Sequence, residues 1–271
     1  MLTVLRAAHP GPTAVVTAAG CALAAAAGRG VAGTVLVGAA VLAGQLSIGW
    51  SNDWLDRRRD RAVGRADKPL AEQAVAPRTI AVAAGTALVL CVPLSLASGV
   101  AAGLVHLVAV AFGWLYNLWL KAGPFSPLPF AVAFGLLPAF VTLGLPGEPW
   151  PAWWATVAGA LLGMGAHFAN VVPDLPGDLA LGVRGLPQRL GPTGARVGAA
   201  ALLVAASLVI ALAPGGRTAP LAVAGLGAVA LALAGGALMA RRSVRRAAFA
   251  VTLAVAAVDL VVFVAQGSRL V

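Results

Sequence analysis

Charged residues are scarce in this chain, and acidic ones are the scarcer kind. Only 10% of the 271 residues are charged, nine of them are Asp or Glu, and 60% are hydrophobic. A soluble domain carries about 25% charged residues, so this chain has too little charge to cover a water-facing surface. Its abundant aliphatic residues also exclude a disordered chain. With a mean hydropathy of +0.92, the composition predicts an integral, multi-pass membrane protein.

Cysteine is nearly absent, with two residues in the chain. Cys21 and Cys91 both lie in apolar runs, so we expect free buried thiols and no disulfide. The net charge of +10 does not indicate a nucleic-acid partner, because basic residues of membrane proteins collect in cytoplasmic loops. We therefore expect the protein to lie in a lipid bilayer and to bind no nucleic acid.

Apolar runs separated by Gly, Pro and charged residues predict an all-α bundle of about nine transmembrane helices. A β-barrel is excluded because nothing alternates with period two. We expect one transmembrane domain over residues 1–271. The predicted spans are 12–28, 31–50, 79–97, 100–120, 126–145, 152–172, 194–213, 219–240 and 247–266.

Most of the basic residues precede the first span or follow the second, fourth, sixth and eighth spans. By the positive-inside rule these segments lie in the cytoplasm. The N-terminus is therefore predicted to be cytoplasmic, and the polar clusters described next face the cytoplasm.

The first polar cluster is NDWLDRRRD, residues 52–60, at the end of the second span. Asn52, Asp56 and Asp60 are spaced i, i+4, i+8, so they share one face of a helix. Stacked carboxylates repel each other unless a cation lies between them. Oxygen ligands at this spacing suit Mg²⁺, which uses one or two carboxylates together with phosphate oxygens of a substrate. Arg65 and Lys68 follow as partners for an anion.

The same spacing recurs after the sixth span, where Asn170, Asp174 and Asp178 are again four residues apart. Pro173 and Pro176 interrupt a continuous helix there. Residues 182–191 are predicted to form a basic, glycine-bearing loop of the kind that wraps a phosphate. Two such clusters on one side of the membrane predict a clamp for a diphosphate.

An isoprenyl diphosphate matches this combination of an anionic site and an apolar bundle. Its head needs Mg²⁺ and basic residues, and its tail needs a helix-lined cavity. Metal coordination stabilises the departing diphosphate and lowers the barrier to ionisation. The bundle keeps water away from the resulting allylic cation.

The two motifs resemble those of the UbiA-type intramembrane prenyltransferases. That family shows NDxxDxxxD after its second span, and this chain has Asn52, Asp53, Asp56 and Asp60 at those positions. Its second motif, DxxxD, is similar to Asp174 and Asp178. The resemblance extends to the basic segment Arg65–Leu70, the stretch Gly182–Gly191, Tyr116 and Lys121 at the end of the fourth span, and the early basic residue Arg6.

The resemblance implies roles for these residues. The Mg²⁺ ligands would be Asn52, Asp56, Asp60, Asn170, Asp174 and Asp178, with Asp53 as a supporting partner, and Asp56 and Asp174 would be central to catalysis. The diphosphate would be bound by Arg65, Lys68, Lys121, Arg6, Arg184 and Arg189. Tyr116 would contact the leaving group or shield the cation.

The acceptor of the prenyl group is open at this stage. The usual acceptor in the family is an aromatic ring. Other members use other acceptors, including phosphoribosyl-type and glycerol-type substrates, or cyclise the prenyl chain without an acceptor. Mg²⁺-dependent prenyl transfer is therefore the leading hypothesis, and a membrane terpene cyclase is the alternative. His167, one turn before Asn170, is a candidate for the acceptor pocket. Asp174, His167 and the diphosphate itself are all candidates for the proton acceptor.

Overall fold

The computed structural model describes residues 2–62, 64, 68–214, 220–241 and 247–271, and this part of the chain forms helices without any β-strand. Two short 3-10 helices, Leu120–Ala122 and Gly267–Arg269, accompany the α-helices. The α-helices are α1 (Leu2–Arg6), α2 (Pro10–Ala26), α3 (Gly30–Ala62), α4 (Pro77–Leu96), α5 (Val100–Leu118), α6 (Leu128–Thr142), α7 (Trp153–Val171), α8 (Leu175–Ala180), α9 (Leu186–Leu212), α10 (Pro220–Arg241) and α11 (Ala247–Ala265). The predicted all-α class is confirmed.

Among the described residues, nine helices of 15 to 33 residues lie at the positions of the predicted spans. Four of them, α3, α4, α5 and α9, are each long and apolar enough to cross a bilayer. Shorter apolar helical stretches occupy 10–26, 128–142, 220–235 and 251–265. The chain is thus an integral membrane protein, and nine crossings remain a prediction.

Helix α3 is longer than its apolar run and ends at Ala62, whereas the predicted span ended at residue 50. No Gly or Pro interrupts residues 51–62, so backbone hydrogen bonding continues after the hydrophobic stretch ends. Twelve residues add about 18 Å of helix at 1.5 Å per residue. The first acidic motif is therefore carried on a rigid extension of a membrane helix.

The second acidic motif is broken between two helices. Helix α7 ends at Val171, and α8 begins at Leu175 with Pro176 in its first turn. Asp174 lies at the N-cap of α8. The stretch expected to form a loop up to residue 191 is partly helical, because α9 begins at Leu186 and kinks at Gly191, where φ is 71°.

The bundle closes into a ring because α11 contacts both α2 and α7. Close approach of α6 and α7 depends on glycine. A Cβ at Gly159 or Gly163 would lie 2.4 Å from the carbonyl oxygen of Phe134 or Phe130, respectively. Small residues of this kind allow membrane helices to pack backbone to backbone. This contact positions the start of α6 and the end of α7, where the site described next is built.

Candidate active site

A cavity of about 330 Å³ lies at the end of the bundle where α3 extends beyond its apolar run. Helices α2, α3, α5, α6, α7 and α8 and the 3-10 turn after α5 contribute to it. Its lining residues are His9, Pro12, Asn52, Asp56, Arg59, Asp60, Lys68, Tyr116, Lys121, Phe130, His167, Asn170, Val171, Asp174 and Asp178. The structure thus brings both acidic motifs to one cavity.

Three side chains of the first motif share the cavity-facing side of α3, as the spacing predicts. They are Asn52, Asp56 and Asp60. The amide nitrogen of Asn52 donates to Oδ1 of Asn117 at 3.1 Å. Asn117 is itself fixed because its amide nitrogen donates to the Ile48 carbonyl and to the Ser51 hydroxyl. The amide oxygen of Asn52 accepts from the Lys68 ammonium at 3.5 Å, so this oxygen already contacts a positive charge at the cavity.

The carboxylates of this motif are balanced by cations on the same cavity. Asp56 is ion-paired with Lys121 and, at 2.6 Å, with Arg59. Asp60 lies 3.7 Å from the Lys68 ammonium. Burial lowers the pKa of the Lys121 ammonium, and the charge of Asp56 opposes that shift. Without these cations the stacked carboxylates would repel one another.

Asp53 does not line the cavity and is almost fully buried behind it. Its Oδ1 accepts a 2.5 Å hydrogen bond from Lys68 and lies 3.1 Å from Nε2 of His9. The side chain of Asp53 is 1% exposed, against 39% for His9. Asp53 therefore contacts two residues of the cavity without lining the cavity itself.

The second motif is fixed by a glutamine of α9. Asp178 accepts a hydrogen bond from the Gln188 amide nitrogen at 2.8 Å. Burial raises the pKa of the Asp178 carboxyl, and the hydrogen bond from Gln188 acts in the opposite direction. The backbone N–H of Asp178 donates to the Asp174 carbonyl, so the two acids share one turn.

Three aromatic rings form the apolar side of the cavity. Phe130 stacks on His167 with ring centroids 4.5 Å apart, and Tyr116 contacts both rings edge-on. Nε2 of His167 is hydrogen-bonded to the Ser126 hydroxyl, which also accepts from the backbone N–H of Leu186. Ser126 thereby joins α7 to the start of α9, directly after the second motif.

A smaller apolar pocket of about 40 Å³ lies deeper in the bundle below the polar cavity. On α3 it is lined by Val41, Gly44 and Ile48, which precede Asn52 by one to three turns. On α6 it is lined by Ala133 and Leu137, which follow Phe130. This pocket also has Gln45 and His106 in its wall, and it lies along the same helices as the polar cavity, toward the middle of the bundle.

Three of the predicted diphosphate ligands lie elsewhere. Arg6, Arg184 and Arg189 are exposed and do not line the cavity, and the Arg189 guanidinium donates to the backbone carbonyl of Arg184. Arg65 lies outside the described residues.

Sequence reasoning missed several residues of the site. His9, Arg59 and Phe130 line the cavity, and Ser126 and Gln188 hold lining residues in place. Arg59 is on the motif-bearing helix, where its i+3 spacing from Asp56 was available as a signal. The others are isolated polar or aromatic residues with no motif around them.

The donors present fit Mg²⁺ together with a diphosphate better than Mg²⁺ alone. Within the described ranges, no group of three His, Cys, Asp or Glu side chains is close enough to hold a metal ion. The carboxylates instead lie in two sets on the same cavity. Mg²⁺ is commonly held by one or two carboxylates plus phosphate oxygens of a substrate. In this arrangement the carboxylates supply the protein ligands, and the remaining ligands would come from the phosphate groups.

Two synthases are similar in sequence to 60% and 64% of this chain. A digeranylgeranylglyceryl phosphate synthase from Methanothrix thermoacetophila is 31% identical over 170 residues, which are 60% of this chain and 61% of that protein. The bacteriochlorophyll synthase 33 kDa chain from Cereibacter sphaeroides is 32% identical over 187 residues, 64% of this chain and 60% of that protein. The matched region thus spans less than two thirds of either relative.

Solved structures share the fold. A UbiA homologue from Aeropyrum pernix aligns with a TM-score of 0.71 at 20% identity and covers 90% of this chain and 94% of its own. A UbiA homologue from Archaeoglobus fulgidus, solved with GPP and Mg²⁺, aligns with a TM-score of 0.65 at 18% identity over 97% of this chain and 99% of its own.

The sequence model of the UbiA prenyltransferase family matches residues 13–261, a region that includes both acidic motifs and all nine of the long helices in whole or in part. With this match over most of its length, and with the helical fold of the solved homologues, the chain belongs to the UbiA prenyltransferase family.

Proposed function

We propose that this protein is a Mg²⁺-dependent intramembrane prenyltransferase that ionises an isoprenyl diphosphate and transfers the prenyl group to an acceptor. One observation carries the proposal. Four carboxylates from two motifs, Asp56, Asp60, Asp174 and Asp178, share a cavity with Arg59, Lys68 and Lys121, and an apolar pocket lies beneath it. That combination suits a substrate with an anionic head and a hydrocarbon tail.

The residues that would hold Mg²⁺ are Asn52, Asp56, Asp60, Asn170, Asp174 and Asp178. The ion supplies positive charge to the departing diphosphate. An Archaeoglobus fulgidus homologue was solved with GPP and Mg²⁺, which supports the choice of this ion. Asp53 is proposed as a positioning residue, because it is buried behind the cavity and holds Lys68.

The diphosphate is proposed to contact Lys68, Lys121 and Arg59, together with Arg65 of the same basic segment. Substrate binding would separate Lys121 from Asp56, so that the ammonium turns to a phosphate oxygen while the carboxylate becomes a metal ligand. Arg6, Arg184 and Arg189 are left out of the proposed binding set because they lie outside the cavity.

Ionisation breaks the C–O bond between the prenyl carbon and the diphosphate, and the electron pair leaves with the diphosphate. The allylic cation that remains would face the rings of Tyr116 and Phe130, whose π-electrons attract positive charge. The tail would lie in the apolar pocket along α3 and α6, where water is excluded. The acceptor then forms a bond to the cation, and its proton passes to a base, for which Asp174, His167 and the released diphosphate are the candidates.

The acceptor is proposed to be an aromatic ring or a lipid, bound on the side of the cavity where His167 lies. The names of the two relatives, one a synthase of a glyceryl phosphate and the other of bacteriochlorophyll, support a prenyl transfer without choosing between these classes. Residues 1–271 are proposed to act as a single transmembrane unit.

The proposal is tested by incubating the purified protein in detergent with Mg²⁺ and allylic diphosphates of increasing length, without an acceptor. Released diphosphate and extractable products are measured. A transferase leaves the substrate intact or hydrolyses it slowly, and turnover then appears when aromatic or lipid acceptors are added. A discrete cyclic product would establish a terpene cyclase instead. Release of neither product under any condition would contradict the proposal.

The site is further proposed to face the cytoplasm, because most basic residues in the described part of the chain lie at its end of the bundle. Single cysteines at Gln73, in the loop after α3, and at Glu148, in the loop before α7, would report on the two ends. Both residues are exposed. An impermeant thiol reagent should label Gln73→Cys only from the cytoplasmic side and Glu148→Cys only from the other side, and the reverse pattern would overturn the orientation.

A further inference from the structure

His9, the residue before α2, occupies a place in the site that no sequence motif predicts. It lines the cavity, and its Nε2 lies 3.1 Å from Asp53 Oδ1 and 3.2 Å from the Lys68 ammonium. Asp53 thus contacts both His9 and Lys68 through a single oxygen. The three residues form a chain in which the buried acid holds two nitrogen-bearing side chains toward the cavity.

The backbone of His9 is held in an uncommon conformation to make these contacts. Its φ of 52° and ψ of 64° are left-handed, although no side-chain hydrogen bond caps α2 there. Such conformations cost free energy in non-glycine residues and cluster at functional sites. The carbonyl of His9 accepts the first hydrogen bond of α2, from the backbone N–H of Thr13. The side chain of His9 takes no part in the cap, and its hydrogen bonds are those to Asp53 and Lys68 at the cavity.

The segment before His9 is fixed to α3, so its position is set by the fold. The Trp50 indole donates to the Val4 carbonyl at 2.7 Å, and the Thr13 hydroxyl donates to the Ala8 carbonyl at 2.8 Å. Gly49 allows this approach, since a Cβ there would lie 2.5 Å from the Ala8 oxygen. With the segment held in this way, Arg6 stays exposed while His9 reaches the cavity.

We infer that His9 is a ligand of the substrate diphosphate, positioned by Asp53 and acting next to Lys68; the inference rests on the proposed function. As an imidazolium, the ring donates from Nε2 to Asp53 and from Nδ1 to a phosphate oxygen. As the neutral tautomer protonated at Nδ1, it accepts from Lys68 at Nε2 and still donates from Nδ1. In these two forms the Nδ1 N–H is available to an anion, whereas the neutral tautomer protonated at Nε2 has none there. Nδ1 has no hydrogen-bond partner among the described residues.

The substitution His9→Gly removes the imidazole and leaves the backbone free of strain, because glycine readily adopts a positive φ. Its effect therefore reports on the loss of the side chain. The matched control is Glu148→Gly, which relieves a φ of 47° at an exposed residue of the opposite loop. Two readouts are used for the full chain in detergent. The first is KM and kcat with an allylic diphosphate, and the second is the rise in Tm produced by Mg²⁺ with inorganic pyrophosphate.

His9→Gly is expected to raise KM about tenfold, as for loss of one hydrogen bond to a charged group, and to weaken the pyrophosphate effect correspondingly. Its kcat should change less, and Glu148→Gly should match the unsubstituted protein. The inference would be overturned if the KM of His9→Gly stays within about twofold of the parent's KM and the rise in Tm with Mg²⁺ and pyrophosphate is the same as in the parent. If His9→Gly does not fold, His9→Asn serves in its place, since Asn also tolerates this backbone conformation and carries a shorter side chain.

Failure of this inference is distinguishable from failure of the proposed function. If the parent protein turns over no allylic diphosphate but is stabilised by pyrophosphate with Mg²⁺, the proposed reaction is wrong and the Tm comparison still decides the role of His9. If the parent is not stabilised either, there is no diphosphate site and both are wrong.

Discussion

The Lys121 ammonium, from the 3-10 turn after α5, is ion-paired with the Asp56 carboxylate in the middle of the α3 motif. Both groups line the same cavity, and Asp56 is also ion-paired with Arg59. Under the proposed function they part when substrate arrives, with Asp56 turning to Mg²⁺ and Lys121 to the diphosphate. Metal and diphosphate binding should therefore depend on each other.

This dependence gives the first prediction, which concerns thermal stability. Mg²⁺ alone or pyrophosphate alone should change Tm little, because the described acidic side chains form no group of three around one ion. Both together, at a hundred times their Kd, should add about 2.7 kcal/mol of stability, or roughly 5 °C or more in Tm for a chain of this size. A full shift with Mg²⁺ alone would show a metal site made by the protein only.

The second prediction concerns Gln188, which donates its amide N–H to Asp178. Gln188→Glu removes the donor and places a second negative charge beside Asp178, so prenyl transfer or ionisation should fall about ten- to a hundredfold. The concentration of Mg²⁺ needed for half-maximal rate should rise. The measurement is diphosphate release as a function of Mg²⁺.

Gln73→Glu makes the same chemical change at an exposed residue and should leave the rate within about twofold of the parent. An equal loss in both variants would mean that added charge, and not the contact with Asp178, lowers the rate.

The third prediction concerns the apolar pocket on α6. Ala133→Leu fills space beside Ile48 and Leu137, so it should raise KM for long allylic diphosphates by tenfold or more and leave the shortest substrate nearly unaffected. Ala111→Leu enlarges an exposed residue of α5 and serves as the control. If Ala133→Leu changes KM equally for all chain lengths, the tail does not follow this path.

Much of the fold can be predicted from the sequence because membrane helices are recognisable as long apolar runs. The positions of the long helices and the all-α class were predicted correctly. The length of α3 was not, since hydropathy ends at residue 50 while helical hydrogen bonding continues to Ala62. The break in the second motif follows from Pro173 and Pro176, which the sequence shows directly.

The site is harder to predict from the sequence where single residues contact others that are distant in the chain. The spacing of Asn52, Asp56 and Asp60 predicts their common face. The contact between His9 and Asp53 joins residues 44 apart in the chain, and no local pattern encodes it. Arg184 and Arg189 illustrate the converse, because a basic stretch next to a motif says nothing about which way its side chains turn.

The central claim is that the two acidic motifs act together on one diphosphate, and the most direct test is Mg²⁺-dependent diphosphate release by Asp56→Asn and Asp174→Asn. Each substitution keeps the side-chain shape and removes one negative charge, so each alone should lower kcat by a hundredfold or more with the fold intact. Glu148→Gln, at an exposed residue of the opposite loop, should retain full activity. Retained turnover in both aspartate variants would contradict the account.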